Sequence, residues 1–316
     1  MNRFIRQLLP FGTLLFIIAG LSALAPDTFL TAENFFNVLS RSSVNGIIAM
    51  GMTAVIISGG IDLSVGSMMA LSGMVAGLIM TRSGNVVPTA GLMWIGTLAG
   101  VGTGFLCGLL NGGLITKLNL PPFIVTLGTM SAFRGISYVM NKGMMFDVPT
   151  YTFLGQGSIA GVPVNVLVFA LIVLIALLIL RYTPLGRYTY AIGSNREAAY
   201  HAGVNVDRNL IAIYTLTGLF VGIAAMIATS RTVSAQPTAG ISLELDIIAA
   251  VVIGGASLSG GRGTVVGTII GTLLISFLRN GLTLLGISTN IQLVVIGGII
   301  IGAVALDQVA RAKAER

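Results

Sequence analysis

The chain has 316 residues, 55% of them hydrophobic and only 9% charged, with a mean hydropathy of +0.96. Soluble domains carry about 25% charged residues, so this chain has too few charges to wet its own surface, and lipid must be the solvent for most of it. The formal charge of +7 does not read as a nucleic-acid footprint. The cations punctuate apolar segments instead of forming a patch, the pattern in which Lys and Arg set membrane orientation.

Crossing the hydrocarbon core takes about 20 apolar residues. Candidate runs in the first half are 8–25, 43–58, 65–81, 90–115 and 121–140. Arg3 and Arg6 precede the first, and Ala23-Leu24-Ala25 resembles a signal cleavage site. Pro26 would follow the cut and the run is long enough to span, so a retained first helix is expected. Between the second and third runs lies SGGIDLSVGS, 58–67. Its Asp62 has two readings. It caps the helix at 65–81, or, with Ser64, it is a pathway group, because an ionisable side chain at membrane depth marks function. Cys107, the only cysteine, lies in an apolar run and reads as packing. Arg134 sits inside 121–140, where its charge must face protein, water or an interface. It is a second pathway candidate.

The second half carries runs at 162–181, 209–230, 246–258, 264–284 and 290–306. The polar interval 182–208 separates the first two and is read as a cytoplasmic loop. Within it, Ser194 and Glu197 form S-x-x-E, a capping-box spacing, while Asn195 is an alternative cap. Good helix formers follow from Arg196 to Ala202, and Gly203 suits a left-handed stop. A helix over about 195–203 is expected. Such a helix is unstable alone, so it is either a solvated connector turn or is held on a protein surface. Ala198, Ala199, Ala202 and Gly203 give it a smooth face, with Arg196, Glu197, Tyr200 and His201 around it. His201 has no second His or Cys for a metal and no nucleophile partner. The loop 231–246 holds turn signals and Arg231, Gln236, Glu244 and Asp246, candidates for receiving an extracytoplasmic partner. SLSGGRGTVVG, 257–267, is glycine-rich and basic but lacks the P-loop lysine. It reads as a tight turn, with Ser257 and Ser259 as pathway candidates.

The expected fold is therefore an all-α polytopic membrane protein of about ten transmembrane helices, one transmembrane domain over 1–316. Helices near 43–67 and 246–263 are expected to be short or broken. The 42 glycines suit closely packed membrane helices. Lys/Arg bias puts both termini in the cytoplasm, with Lys117, Arg181, Arg187, Arg196, Arg208, Arg262, Arg311, Lys313 and Arg316. The loops 26–42 and 231–245 fall outside; Arg82 and Lys142 are exceptions. AVIISGGIDLSVG (54–66) echoes AVVIGGASLSGG (250–261), aligning Gly59-Gly60 with Gly254-Gly255 and placing both copies in one orientation. Such repeats are common in transporters. No HExxH, CxxC pair, dinucleotide fingerprint or nucleophile–base set is present, so the chain does not read as an enzyme and needs no cofactor of its own.

Five stretches together resemble the permease subunit of ribose-type, carbohydrate-uptake ABC importers. They are GMTAVIISGGIDLSVGS (51–67), TPLGRYTYAIGSNREAAYHAGVNV (183–206), SAQPTAG (234–240), ELDIIAAVVIGGASLSGGRGTVVGT (244–268) and NGLTLLG (280–286). The resemblance runs along essentially the whole chain. It implies a second permease subunit, an extracytoplasmic sugar-binding protein, and cytoplasmic ABC ATPases that hold ATP and Mg²⁺. It also implies that Ser194 to Gly203 dock on the ATPase, in a bacterial inner membrane.

Overall fold

A computed structural model describes residues 3–24, 26–82 and 89–312. In chain order its helices are α1 (Arg3–Leu24), α2 (Pro26–Phe29), α3 (Ala32–Ile57), α4 (Val65–Met80), α5 (Ala90–Lys117), α6 (Pro122–Met140) and α7 (Phe153–Gln156). There follow α8 (Val164–Tyr182), α9 (Pro184–Ser194), α10 (Arg196–His201), α11 (Val206–Thr232), α12 (Leu243–Ile253), α13 (Val265–Leu284) and α14 (Thr289–Ala312). Four two-residue strands complete the described residues. β1 (Phe146–Asp147) pairs antiparallel with β4 (Ser234–Ala235), and β2 (Ser158–Ile159) with β3 (Val162–Pro163).

Among the described residues six helices, α3, α5, α6, α8, α11 and α13, are long and apolar enough to cross a membrane, and the protein is a multi-pass membrane protein. Their burial sorts them. In the most apolar window of α3, 83% is buried, against 28% in α5 and α6. So α3 is central, while α5, α6 and α8 present Leu98, Leu106, Val139 and Leu171 outward, as lipid-facing helices do.

One expected loop is helix. The sequence predicts an outer connection over 26–42, yet α3 starts at Ala32, 11 residues before the apolar run at 43. Thr31 caps it by accepting from the Asn34 amide at 3.1 Å. Glu33 sits in its first turn, favourable at the positive end of the dipole. Its early polar groups are satisfied inside the protein: Asn34 exchanges hydrogen bonds with Asn280 on α13, and Asn165 on α8 donates to Ser40.

Glycines set the central crossing of α5 and α11. A Cβ at Gly104 would collide with the carbonyl of Gly218 and lie 2.7 Å from the Gly222 Cα. One at Gly108 would meet the Tyr214 carbonyl, and one at Gly112 would lie 2.8 Å from the Ile211 Cα. Partners fall in number along α11 as positions rise along α5, so the helices are antiparallel and in backbone contact.

The internal echo is real in geometry but shifted by one residue. Three backbone bonds end α3: Ser58 N–H to Ala54 O, Gly59 to Ile56 and Gly60 to Val55, all 3.0 Å. The same three end α12: Gly254 to Ala250 at 3.0 Å, Gly255 to Val252 at 2.9 Å and Ala256 to Val251 at 3.1 Å. The equivalent left-handed residues are Gly59 (φ 84°) and Gly255 (φ 91°), the position where a helix stop favours glycine. Thus Ser58, Gly59 and Gly60 match Gly254, Gly255 and Ala256. The GG pairs do not superpose, because letter matching ignores which glycine carries the positive φ. After the stop, α4 begins at Val65 and α13 at Val265, so the second break is four residues longer. Both breaks arrive at the same end of the molecule, so the two copies share an orientation.

Candidate coupling site

The polar interval folds into two helices, α9 and α10, separated by Asn195. Thr183 caps α9 by accepting from the Gly186 amide at 3.4 Å, and Pro184 occupies its first turn. Thr189 and Ile192 are buried. Asn195 is extended (φ −158°), ending α9 and capping α10, where its side chain accepts from the Ala198 amide at 2.9 Å. Of the two caps considered, Asn195 is the one used. The helix α10 is six residues, shorter than 195–203, because Gly203 takes φ 85° and returns its amide to Tyr200 O at 3.0 Å while Val204 bonds Ala199 O at 3.1 Å.

Ala199 is 5% exposed and packs with Ile192, Val206 and Leu210. It faces its own chain, which corrects the four-residue smooth face: Ala199 is the anchor, and Ala198, Ala202 and Gly203 remain exposed. Ser194, Arg196, Glu197, Tyr200 and His201 are exposed with them. The Tyr200 and His201 rings meet edge-on at 5.6 Å. Arg196 lies 4.0 Å from Asp207, an exposed pair that adds little.

Beneath α9 the two helix breaks meet. Gly261 N–H donates to Ile57 O at 2.8 Å, joining the second break to the end of α3. Gly193 rests on that bond: a Cβ there would collide with Ile57 O and lie 2.6 Å from Gly261 N. Tyr190, three residues earlier on α9, donates its hydroxyl to Gly263 O at 2.9 Å. Burial pushes the Tyr190 phenol up, so it stays a proton donor at neutral pH. Ser257 N–H to Arg262 O at 3.0 Å and Gly260 N–H to Ser257 O at 2.9 Å close the second break into a tight turn; the turn expected over 257–267 ends sooner, because α13 begins at Val265.

The first break is tied elsewhere. Asp62 is fully buried, and its Oδ1 accepts from the Ser64 amide at 2.9 Å and the Ser64 hydroxyl at 2.6 Å. Asn111 on α5 donates to Ser64 Oγ at 2.8 Å. Ser64, not Asp62, is the cap residue of α4 and makes no side-chain cap bond. Asp62 instead fixes an Asx-type turn that enters the helix. Thr126 on α6 donates to Ile61 O at 3.2 Å, so α5 and α6 both hold the break.

The family described as "Branched-chain amino acid transport system / permease component" matches residues 34–304. The ribose import permease protein RbsC of Bacillus subtilis (strain 168) is 47% identical over 308 residues, 96% of this chain and 93% of its own. RbsC of Escherichia coli (strain K12) is 42% identical over 300 residues, 93% and 91% of the two chains. The D-allose transport system permease protein AlsC of the same organism is 38% identical over 303 residues, covering 94% and 90%. No solved structure matches. The chain belongs to this permease family.

In the permease, the other sequence candidates scatter. Arg134 donates from Nη1 to Pro237 O and Ala239 O, both at 2.7 Å, pinning the segment 236–240 to α6. That segment reaches in as far as Gly66, whose added Cβ would collide with Gly240 O. Asp246 is buried and paired with Arg279 at 2.8 Å, which removes it from any exposed docking surface. Gln236 donates to Ser234 Oγ at 3.0 Å, and Arg231 and Glu244 are partly exposed. Ser257 is buried in the second turn and Ser259 is exposed beside it, so both belong to the α9 end and not to a central cavity. Sequence reading missed Tyr190, Gly193 and Asn111. A usable signal existed for the first two: on an 11-residue amphipathic helix, positions 186, 189, 190 and 193 share a face.

Proposed function

We propose that the permease is the membrane-spanning subunit of an ABC importer that moves ribose or a related monosaccharide. An extracytoplasmic binding protein delivers the sugar, two permease subunits form the path, and cytoplasmic ATPases carry ATP and Mg²⁺. The observation that carries this is α10: a capped short helix, anchored inward by Ala199 and exposed elsewhere, joined at Asn195 to α9, whose Gly193 bears on the junction of both helix breaks. A short helix is unstable alone; Ala199 anchors this one to its own chain, and its remaining exposed residues leave a surface by which a partner can move two halves of the protein together. With its P-loop lysine absent, the chain takes ATP-driven motion from another subunit.

The chain crosses the bacterial inner membrane ten times in this reading. The six long helices are joined by α1, α4, α14 and a composite span of 236–242 with α12. Both termini and α9–α10 are cytoplasmic. Arg231 and Gln236 face the binding protein, Glu244 lies inward beside Gly66, and lipid covers the outer faces of α5, α6 and α8. Ribose leads because two relatives above 40% identity carry that name; the spread of named sugars keeps the class broad.

Reconstitution in proteoliposomes with ATPases and binding protein tests the proposal. The expected result is ATP-dependent uptake of a pentose or hexose, abolished by Ala198→Glu with Ala202→Glu. Uptake driven by an ion gradient without ATPases, or unchanged by the double variant, would contradict it. Uptake of leucine instead of sugars would leave the importer but overturn the substrate class.

A further inference from the structure

Tyr190 and Gly193 lie on one face of α9, and that face touches nothing movable on its own. Gly193 bears on Ile57 O and Gly261 N, atoms already bonded to each other across the two breaks. Gly260 closes the same knot: a Cβ there would lie 3.0 Å from the Gly193 Cα and 3.1 Å from the Gly59 Cα. Tyr190 adds a side-chain bond from α9 to the second break, on Gly263 O. Further along, Thr53 on α3 and Thr268 on α13 share a hydrogen bond at 2.7 Å, so the helices flanking the two breaks are themselves tied. The left-handed glycines Gly59, Gly255, Gly260 and Gly261 give both breaks backbone freedom that other residues lack.

We infer that α9, through Tyr190 and Gly193, is the rigid link that makes both helix breaks move as one body when α10 is displaced. This rests on the importer reading above and deepens it. The ATPase acts on α10, but coupling to the path runs through a backbone knot of Ile57, Gly193 and Gly261 with Tyr190 as its latch. Gly193 has no side chain because α9 must touch the knot directly: any Cβ wedges α9 off Ile57 O. Tyr190 is a positioning residue; it touches neither nucleotide nor sugar.

The test compares wild type, Tyr190→Phe, Gly193→Ala and Tyr188→Phe, each assembled with ATPases and binding protein in proteoliposomes. Sugar taken up per ATP hydrolysed is the reading, with assembly checked by co-purification. Tyr190→Phe removes one oxygen and keeps the ring, so assembly and ATP hydrolysis stay within about twofold of wild type, while uptake per ATP falls at least about threefold, inside the roughly 2- to 12-fold that one net hydrogen bond is worth. Gly193→Ala should lower the ratio further. Tyr188, on the exposed side of α9, should leave it unchanged on conversion to Phe. An unchanged ratio in both Tyr190→Phe and Gly193→Ala would overturn the latch while leaving the importer intact. Wild-type uptake that needs no ATPase would overturn the importer reading and the latch with it.

Discussion

Alanine substitutions along α5 give a sharp contrast, because one helix carries glycines of two kinds. At Gly104 a Cβ would lie 2.7 Å from the Gly222 Cα and closer still to the Gly218 carbonyl, whereas at Gly102 nothing stands within 4 Å. Ordinary carbon contacts need about 3.5 Å or more, so Gly104→Ala must push α5 and α11 apart by roughly 1 Å at their crossing. Overpacking of this kind costs about 1–3 kcal/mol. Gly102→Ala gains helix propensity instead, about 1 kcal/mol. The two variants should therefore differ by about 2–4 kcal/mol although the chemical change is identical. For a chain this large each kcal/mol moves the midpoint by about 2 °C, giving a separation of about 4–8 °C. Thermal unfolding of purified protein in nanodiscs at one scan rate reads it, the fixed rate being needed because such unfolding is commonly irreversible. Equal midpoints would refute the close antiparallel packing of α5 on α11.

Asn195→Ala removes the cap of α10 and should cost about 1 kcal/mol, seen as faster amide exchange at 196–202 and weaker ATPase co-purification, with the rest of the fold unchanged. Arg279→Met leaves Asp246 buried without its partner and should destabilise by about 3–5 kcal/mol, while Asp246→Leu with Arg279→Met recovers most of that loss; thermal unfolding of the three variants completes the cycle. Arg134→Met removes two hydrogen bonds from a charged donor, each worth about 1.5–3 kcal/mol, so amide exchange across 236–240 should rise at least tenfold, and uptake should fall with it.

The fold was legible where hydrophobicity alone decides it. Runs such as 162–181 and 264–284 match α8 and α13 within two residues. It was least legible where helices carry polar groups that find partners far away in sequence: the first turns of α3 look like a loop until Asn280 and Asn165 supply their hydrogen bonds. The helix stops were legible as glycine pairs but not in register, since only backbone bonding reveals which glycine is left-handed. At the candidate coupling site, local rules offered Asn195 as one of two caps and Gly203 as the stop, but overran the length of α10. It could not show that Ala199 faces inward, because that depends on Val206 and Leu210 on the next helix. Asp62 was misplaced for a similar reason: an acid one turn before a helix reads as its cap, whereas Ser64 and Asn111 draw its surroundings into a buried cluster.

The claim on which the rest depends is that α10 is where an ATPase subunit docks. A photo-crosslinking side chain at Tyr200, which is 68% exposed on α10, tests it directly in membranes that contain the assembled transporter. A second label at Thr238, exposed on the 236–240 segment that Arg134 holds against α6, is the reference. The account predicts an ATPase adduct from position 200, lost with Ala198→Glu, and none from position 238. An ATPase adduct from position 238, or none from position 200 in a transport-competent assembly, would contradict it.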